Sequence, residues 1–166
     1  NKHANIPQNR QRVFIHGFAN QSDWLNYAPP KQIPLTRNFR DFLEEPSDEK
    51  LYYNDGSELH KEINDKVCRL DRVYSRAIRG ILEIKSGVAP TLTAHMGTGG
   101  SSIPLIRDEK GVRQLTIREC ARFQGMSDDY IFPVRKSQAY KQIGNSVNVK
   151  VIEAIAKGMF DDKIAN

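Results

Sequence analysis

The sequence predicts an α/β chain in which a small mixed, β-containing lobe is flanked by a short strand before it and a helix after it. Three observations predict this. Short apolar runs bounded by glycine or proline recur at residues 12–17, 88–94 and 103–107, the pattern of strands. Helix-capping signals concentrate in the last third, beginning at Thr116 and Glu119. Hydrophobic residues make up 39% of the 166, enough for a core but low for a self-contained one. A single strand and a single helix cannot make a core between them. The flanking elements are therefore expected to pack on a further structural unit.

Residues 12–17, Arg-Val-Phe-Ile-His-Gly, read as a buried strand stopped by Gly17. Pro29, Pro30 and Pro34 break regular structure and make residues 28–35 a linker. Residues 38–43 form a helical turn or two, ended by Pro46. Leu59, Ile63 and Val67 stand at i, i+4 and i+8, which predicts a short helix over 57–67 with Ser57 as its N-cap. Residues 73–84 fit either a strand or irregular structure. Strands are predicted at 88–94 and 103–107, around the loop Gly97-Thr98-Gly99-Gly100. That loop has neither the P-loop nor the dinucleotide-binding spacing. It reads as a β-connection whose backbone can approach a partner closely.

The last third is clearer. Thr116 and Glu119 have capping-box spacing, Ile117, Cys120, Ala121 and Phe123 give an apolar face, and Gly125 supplies a stop. A helix is predicted over 116–124. Residues 138–145 lead into a last helix over 146–160, with Asn145-Ser146 at its entry as ordinary N-cap chemistry. Val147, Val151, Ile152, Ile155 and Met159 make its apolar stripe.

The 25 Lys and Arg outnumber the 20 Asp and Glu by five, which suits an anionic partner without identifying one. The acidic stretch from Asp41 to Glu62 reads as solvated surface. Arg69, Arg72, Arg76 and Arg79 face only Asp71. They are candidates for phosphates or base edges, because arginine offers a planar fork of donors. No apolar run approaches the roughly 18 residues needed to span a membrane, and no signal peptide is read. Cys68 and Cys120 lie far apart, which excludes a disulfide scaffold and points to a reducing, cytoplasmic setting. Both read as structural residues, Cys120 in the core. With no C-x-x-C and four scattered histidines, no metal site is expected. Arg10 and Arg12 stand two apart in an extended segment and share a face.

Three ordered blocks carry more. Gln8-Asn9-Arg10-Gln11-Arg12 fits a Q-x-R-x-R pattern. Leu115-Thr116-Ile117-Arg118-Glu119, continuing through Gln124-Gly125 to Asp128, fits L-T-x-R-E-x-A-R-x-Q-G. Gln142-Ile143-Gly144-Asn145-Ser146-Val147 fits Q-x-G-N-x-V, and Thr91-Leu92 lies between the first two. In these blocks the chain resembles the C-terminal part of the DNA cytosine-5 methyltransferases of bacterial restriction–modification systems. That family's Phe-x-Gly-x-Gly loop, Pro-Cys nucleophile and Glu-Asn-Val acid have no counterpart here: Cys68 follows Val67 and Cys120 follows Glu119. Ser127 stands where the second block usually has proline.

The resemblance implies a Rossmann-like methyltransferase catalytic domain whose main part lies outside this chain. Residues 1–35 would end that domain and form a linker, 36–133 would be the target-recognition domain, and 134–166 would return to the catalytic domain. It implies a fragment or subunit, inactive alone, whose partners are double-stranded DNA and an N-terminal catalytic portion. In the family a Cys thiolate adds to C6 of a flipped cytosine, and C5 then takes a methyl group from S-adenosylmethionine. By position in its block, Arg12 matches the donor to the cytosine O2, and Arg10 the residue that supports that strand. Asn145 and Ser146 match positions that touch the cofactor, and Val147 walls its pocket. Thr91 and Leu92 match the signature beside the flipped nucleotide. The resemblance also implies that the middle lobe reads DNA in the major groove, where arginine fits guanine bidentately, so Arg69, Arg72, Arg76 and Arg79 are candidate readers. The alternative is a stand-alone sequence-specific DNA-binding module, which would need neither an O2 donor nor a cofactor edge.

Overall fold

The computed structural model describes residues 2–77, 80–84, 87–98 and 103–164. At its centre is a four-stranded antiparallel sheet in the order β2-β1-β3-β4. Its strands are β1 (Val73–Ala77), β2 (Gly80–Ile84), β3 (Ile103–Asp108) and β4 (Gly111–Gln114). Strand alternation sends successive side chains to opposite faces, and here both faces of the middle strands are covered. Val73 and its cross-strand partner Ile106 enter the larger core. Tyr74 and its partner Leu105 enter a smaller one, with Val112.

The smaller core is closed by α2 (Glu58–Lys66), through Ile63 and by Val67 just beyond its end. Ser57 caps this helix by accepting from the His60 N–H at 3.3 Å, as the sequence predicts. Its other end is held from the sheet: Arg107 donates to the carbonyls of Asn64 at 2.9 Å and Val67 at 2.6 Å. A cation there satisfies the last carbonyls and complements the helix dipole.

The larger core contains Phe39, Phe42, Leu92, Leu115, Phe123 and Ile143. Phe42 comes from a 3-10 turn, Phe39–Phe42, and stacks on Phe123 with ring centroids 5.0 Å apart. Phe123 ends α3 (Ile117–Phe123), where the capping box forms as predicted. Thr116 Oγ1 accepts from the Glu119 N–H at 3.0 Å, and Glu119 Oε2 from the Thr116 N–H at 2.7 Å. Gly125, at φ +73°, terminates it. Cys120 is buried, and that burial, with Glu119 beside it, pushes its thiol pKa up; it is an inert core residue, as expected.

Glu119 does more than cap. Its carboxylate receives both terminal nitrogens of Arg113, at 2.8 and 2.9 Å, and neither residue is more than 1% exposed. Arg113 also donates to Asp108 Oδ2 at 2.7 Å, Gln114 O at 3.2 Å and Glu44 O at 3.1 Å. All five of its N–H groups are thus used. Burial lowers the guanidinium's pKa, and Glu119 and then Asp108 more than reverse this, so it is raised. Burial raises Asp108, yet the hydrogen bonds from Arg113 and Tyr52 hold it below its ordinary value.

The structure corrects several expectations. Residues 12–17 are not a strand, and Val13 and Ile15 are 89% and 93% exposed, because no neighbouring backbone among the described residues pairs with them. Residues 88–94 are not a strand either. One parallel bridge joins Gln8 to Ala89, and Pro90, lacking an N–H, cannot extend it. The chain then enters a 3-10 turn, Ala94–Thr98. Residues 138–145 are themselves helical, within α4 (Lys136–Asn145), and the last helix is α5 (Val149–Ile164). Ser146 caps the C-terminus of α4, while Asn148 caps α5 by accepting from Lys150 and Val151 N–H at 3.0 and 3.4 Å. A six-residue helix, α1 (Gln21–Asn26), went unread and buries none of its residues.

Removing one partner of a buried ion pair strands the other charge, at a cost of about 3–5 kcal/mol. Arg113→Met is expected to lose that much in denaturant unfolding. Arg113→Met with Glu119→Leu should lose clearly less than the sum of the two single changes. Strict additivity would show that the pair is not coupled.

Candidate functional site

The first and third sequence blocks meet Thr91-Leu92 where the extended segment around Arg10 crosses residues 89–94 and the end of α4. Asn9 N–H donates to Ala89 O at 2.9 Å, and Ala89 N–H to Pro7 O at 2.7 Å. Thr91 Oγ1 donates to Asn9 O at 2.5 Å. Arg10 reaches past them. Its guanidinium donates to Leu92 O at 2.7 Å, to Gly144 O at 2.8 Å, and to Ser146 O. Burial, and then the charge of Arg12, lower its pKa, although a guanidinium stays charged at any ordinary pH.

Gly144 explains how α4 comes this close. A Cβ built on it would stand 2.2 Å from the carbonyl carbon of Thr93, so only glycine fits. Asn145 next to it is exposed, Ser146 Oγ donates to Ile143 O at 2.7 Å, and Val147 is 41% exposed. Leu92 is fully buried, so its side chain anchors the segment and Thr91 faces outward.

Arg12 is placed differently from Arg10. It is exposed and donates to the carbonyl of its neighbour Gln11 at 2.6 Å. It lines a cleft of about 530 Å³ together with Arg10, Phe14, His16, Tyr27 and Asn148. Lys2 also lines it, and among the described residues no Asp or Glu does. Sequence reading singled out Arg10 and Arg12 here but missed Phe14 and His16. The signal was present: residues 10, 12, 14 and 16 share one side of an extended segment, and Val13 and Ile15 take the other.

The arginine stretch is less uniform than its sequence. Arg69 makes a two-pronged pair with Asp71, at 3.0 and 2.9 Å. Arg72 Nε lies 3.3 Å from Glu83, inside ion-pair range but outside hydrogen-bond geometry. Arg76 is half-buried on β1, opposite Ile81 and Ile103. Arg79 lies outside the described residues. Such partly exposed pairs contribute little to stability, so Arg69 and Arg72 can exchange these acids for other anions. Among the described residues there is no His, Cys, Asp and Glu cluster fit for a metal ion, and no helix is long and apolar enough to cross a membrane.

The fold, a four-stranded antiparallel sheet with helices, is similar to those of solved methyltransferases. A crystal structure of the Dnmt2 methyltransferase of S. pombe superposes with a TM-score of 0.56 at 19% identity, covering 95% of this chain and 53% of that one. The methyltransferase EhMeth of Entamoeba histolytica gives 0.52 at 16% identity, over 89% and 45%. The sequence relationship is closer and more particular. The C-5 cytosine-specific DNA methylase family matches residues 1–161, and the chain belongs to that family. It is 40% identical to the type II methyltransferase M.Bsp6I of Bacillus sp. (strain RFL6), over 95% of this chain and 51% of the relative. It is 38% identical to M.DsaV of Dactylococcopsis salina, over 93% and 44%. The chain thus spans about half the length of the curated relatives it matches.

Because the Gly144 approach leaves no room for a methyl group, Gly144→Ala is expected to push α4 from residues 93–94. The cost should be at least the roughly 1–3 kcal/mol of ordinary overpacking, seen as a lowered melting temperature. An unchanged melting temperature would mean that the two segments are not held together.

Proposed function

We propose that this chain is the target-recognition and C-terminal part of a DNA (cytosine-5)-methyltransferase. It acts with an N-terminal catalytic polypeptide and is inactive alone. The observation that carries the proposal is Arg12: an exposed guanidinium in a cationic cleft that no Asp or Glu lines among the described residues, beside an arginine that gives three N–H groups to carbonyls. A planar donor with N–H groups to spare in such a place suits an electron-rich oxygen. The cytosine O2 is one, and charge builds on it as a thiolate adds to C6.

The roles divide along the chain. Arg12 donates to O2 of the flipped base, Arg10 fixes the segment that carries Arg12, and Thr91 contacts the target strand beside it. Leu92 anchors Thr91 from the core. Exposed Asn145 and Val147 put one polar and one apolar group beside the tied-down Ser146, a fit for the edge of an adenosine-bearing cofactor. S-adenosylmethionine, when bound, supplies the electrophilic methyl group. Arg69, Arg72, Arg76 and Arg79 supply base and phosphate contacts in the major groove. The exposed Val13 and Ile15 dock against the catalytic polypeptide, which brings the nucleophilic Cys and the acid.

With DNA and labelled S-adenosylmethionine, the purified chain should incorporate no methyl groups. Adding a polypeptide that carries the Pro-Cys and Glu-Asn-Val blocks should restore transfer. Methylation by the chain alone would overturn the proposal.

In the assembled enzyme, Arg12→Ala should lower single-turnover transfer about 100- to 1000-fold, the usual loss for one preorganised donor. Arg12→Lys, which keeps the charge but not the fork, should recover part of it. If Arg12 only braces its segment, the rate per folded molecule will stay near that of the parent.

A further inference from the structure

The junction at Arg10 joins two surfaces that serve different ligands. Its guanidinium holds Leu92 O on one segment and Gly144 O and Ser146 O on another. On the first segment, Thr91 is tied to Asn9, and Ala89 is tied to both Pro7 and Asn9. On the second, Gly144 lies against the Thr93 backbone with no space between them. The three segments, 7–10, 89–94 and 142–146, are therefore one mechanical unit. Thr91 stands on the second of these segments, and Asn145 and Ser146 on the third, with Val147 next in the chain.

We propose that Arg10 is a positioning residue that couples cofactor binding to target-strand binding. The proposal rests on the function assigned above. A ligand against Asn145 and Val147 fixes the carbonyls of Gly144 and Ser146. Arg10 then fixes Leu92 O, and with it Thr91, before DNA arrives. Ordering done by the first ligand need not be repeated by the second, which makes the two bind cooperatively, and the coupling is reciprocal. The device needs a planar fork: a lysine ammonium is a compact point charge without the fixed geometry to bridge carbonyls on both segments.

The test uses the enzyme assembled from this chain and an N-terminal catalytic polypeptide. DNA affinity is measured with and without S-adenosylhomocysteine, for the parent and for Arg10→Lys. The parent should bind DNA about 5- to 150-fold tighter with S-adenosylhomocysteine present, the usual range of coupling between sites. Arg10→Lys should bind each ligand alone within about threefold of the parent, while the mutual tightening falls below about twofold. A purely structural role would weaken both ligands separately and leave the tightening intact. That result, or a parent without mutual tightening, overturns the coupling. Amide exchange gives a reading that does not depend on the variant folding. In the parent, S-adenosylhomocysteine alone should slow exchange at Ala89 and Met96, and no slowing there overturns the proposal as well. Methyl transfer by the assembled parent reports on the underlying function separately. Its absence defeats that function, whereas normal transfer with an unchanged tightening in Arg10→Lys defeats the coupling alone.

Discussion

A buried ion pair, Arg113 with Glu119, is the constraint on which the larger core depends. Desolvating two charges is costly, and the cost is offset only when the remaining donors and acceptors are satisfied. Here they are: Arg113 uses every N–H, and Glu119 also accepts from the Thr116 and Glu44 N–H groups. The pair fixes the angle at which α3 leaves β4, across just Leu115 and Thr116. It also holds residue 44 from both sides, through its N–H and its carbonyl. Residue 44 follows the turn that carries Phe42, so the stack of Phe42 on Phe123 is set by the same polar knot. Leu115, between the two charges, is buried in that core.

What the sequence made legible was local. The helix over 116–124 was readable because its cap, apolar face and stop lie within ten residues, and α2 and β3 for similar reasons. β4 was not read, because Arg113 in its middle breaks apolar alternation and its partner Glu119 looked like a capping residue only. α4 was missed because no capping side chain marks its start at Arg135. Pro90 was in plain sight, but the apolar residues around it suggested a strand that its missing N–H forbids. The candidate site was legible only through block order. Its central contacts join residues 82 and 134 positions apart, and no periodicity encodes such distances.

The segment after Arg10 shows how an expectation can fail in pairing and hold in alternation. Residues 9–12 all line the cleft, and beyond them Phe14 and His16 line it while Val13 and Ile15 face water. That is a strand's two-sidedness without a strand's hydrogen bonds. Covering either aliphatic side chain contributes about 1.5–3 kcal/mol, and contiguous exposed apolar surface marks an interaction site. Trp24 and Leu25 of α1 are also more than half exposed. The proposed catalytic polypeptide would cover this side, and the cleft lies on the other side of the same segment. Docking and chemistry would then be separated by the thickness of one extended chain.

The two arginines of the first block divide the work because their surroundings differ, although their chemistry is the same. Arg10 gives its fork to carbonyls, dipoles that cannot neutralise it, so its charge persists half-buried beside Arg12. Burial, and then the charge of Arg12, lower Arg10's pKa. Several other arginines meet a carboxylate: Arg69 has Asp71, Arg122 has Asp128, and Arg113 has Glu119. Among the described residues no Asp or Glu lines the cleft to answer the charge of Arg10 and Arg12. Like charges held together without a counter-ion cost stability, and that cost falls when an electron-rich group enters. The electrostatics therefore favour a ligand oxygen at Arg12 over Arg10, whose fork is already engaged. With Arg10 fixing the backbone, the proposed ligand oxygen would meet one donor, Arg12.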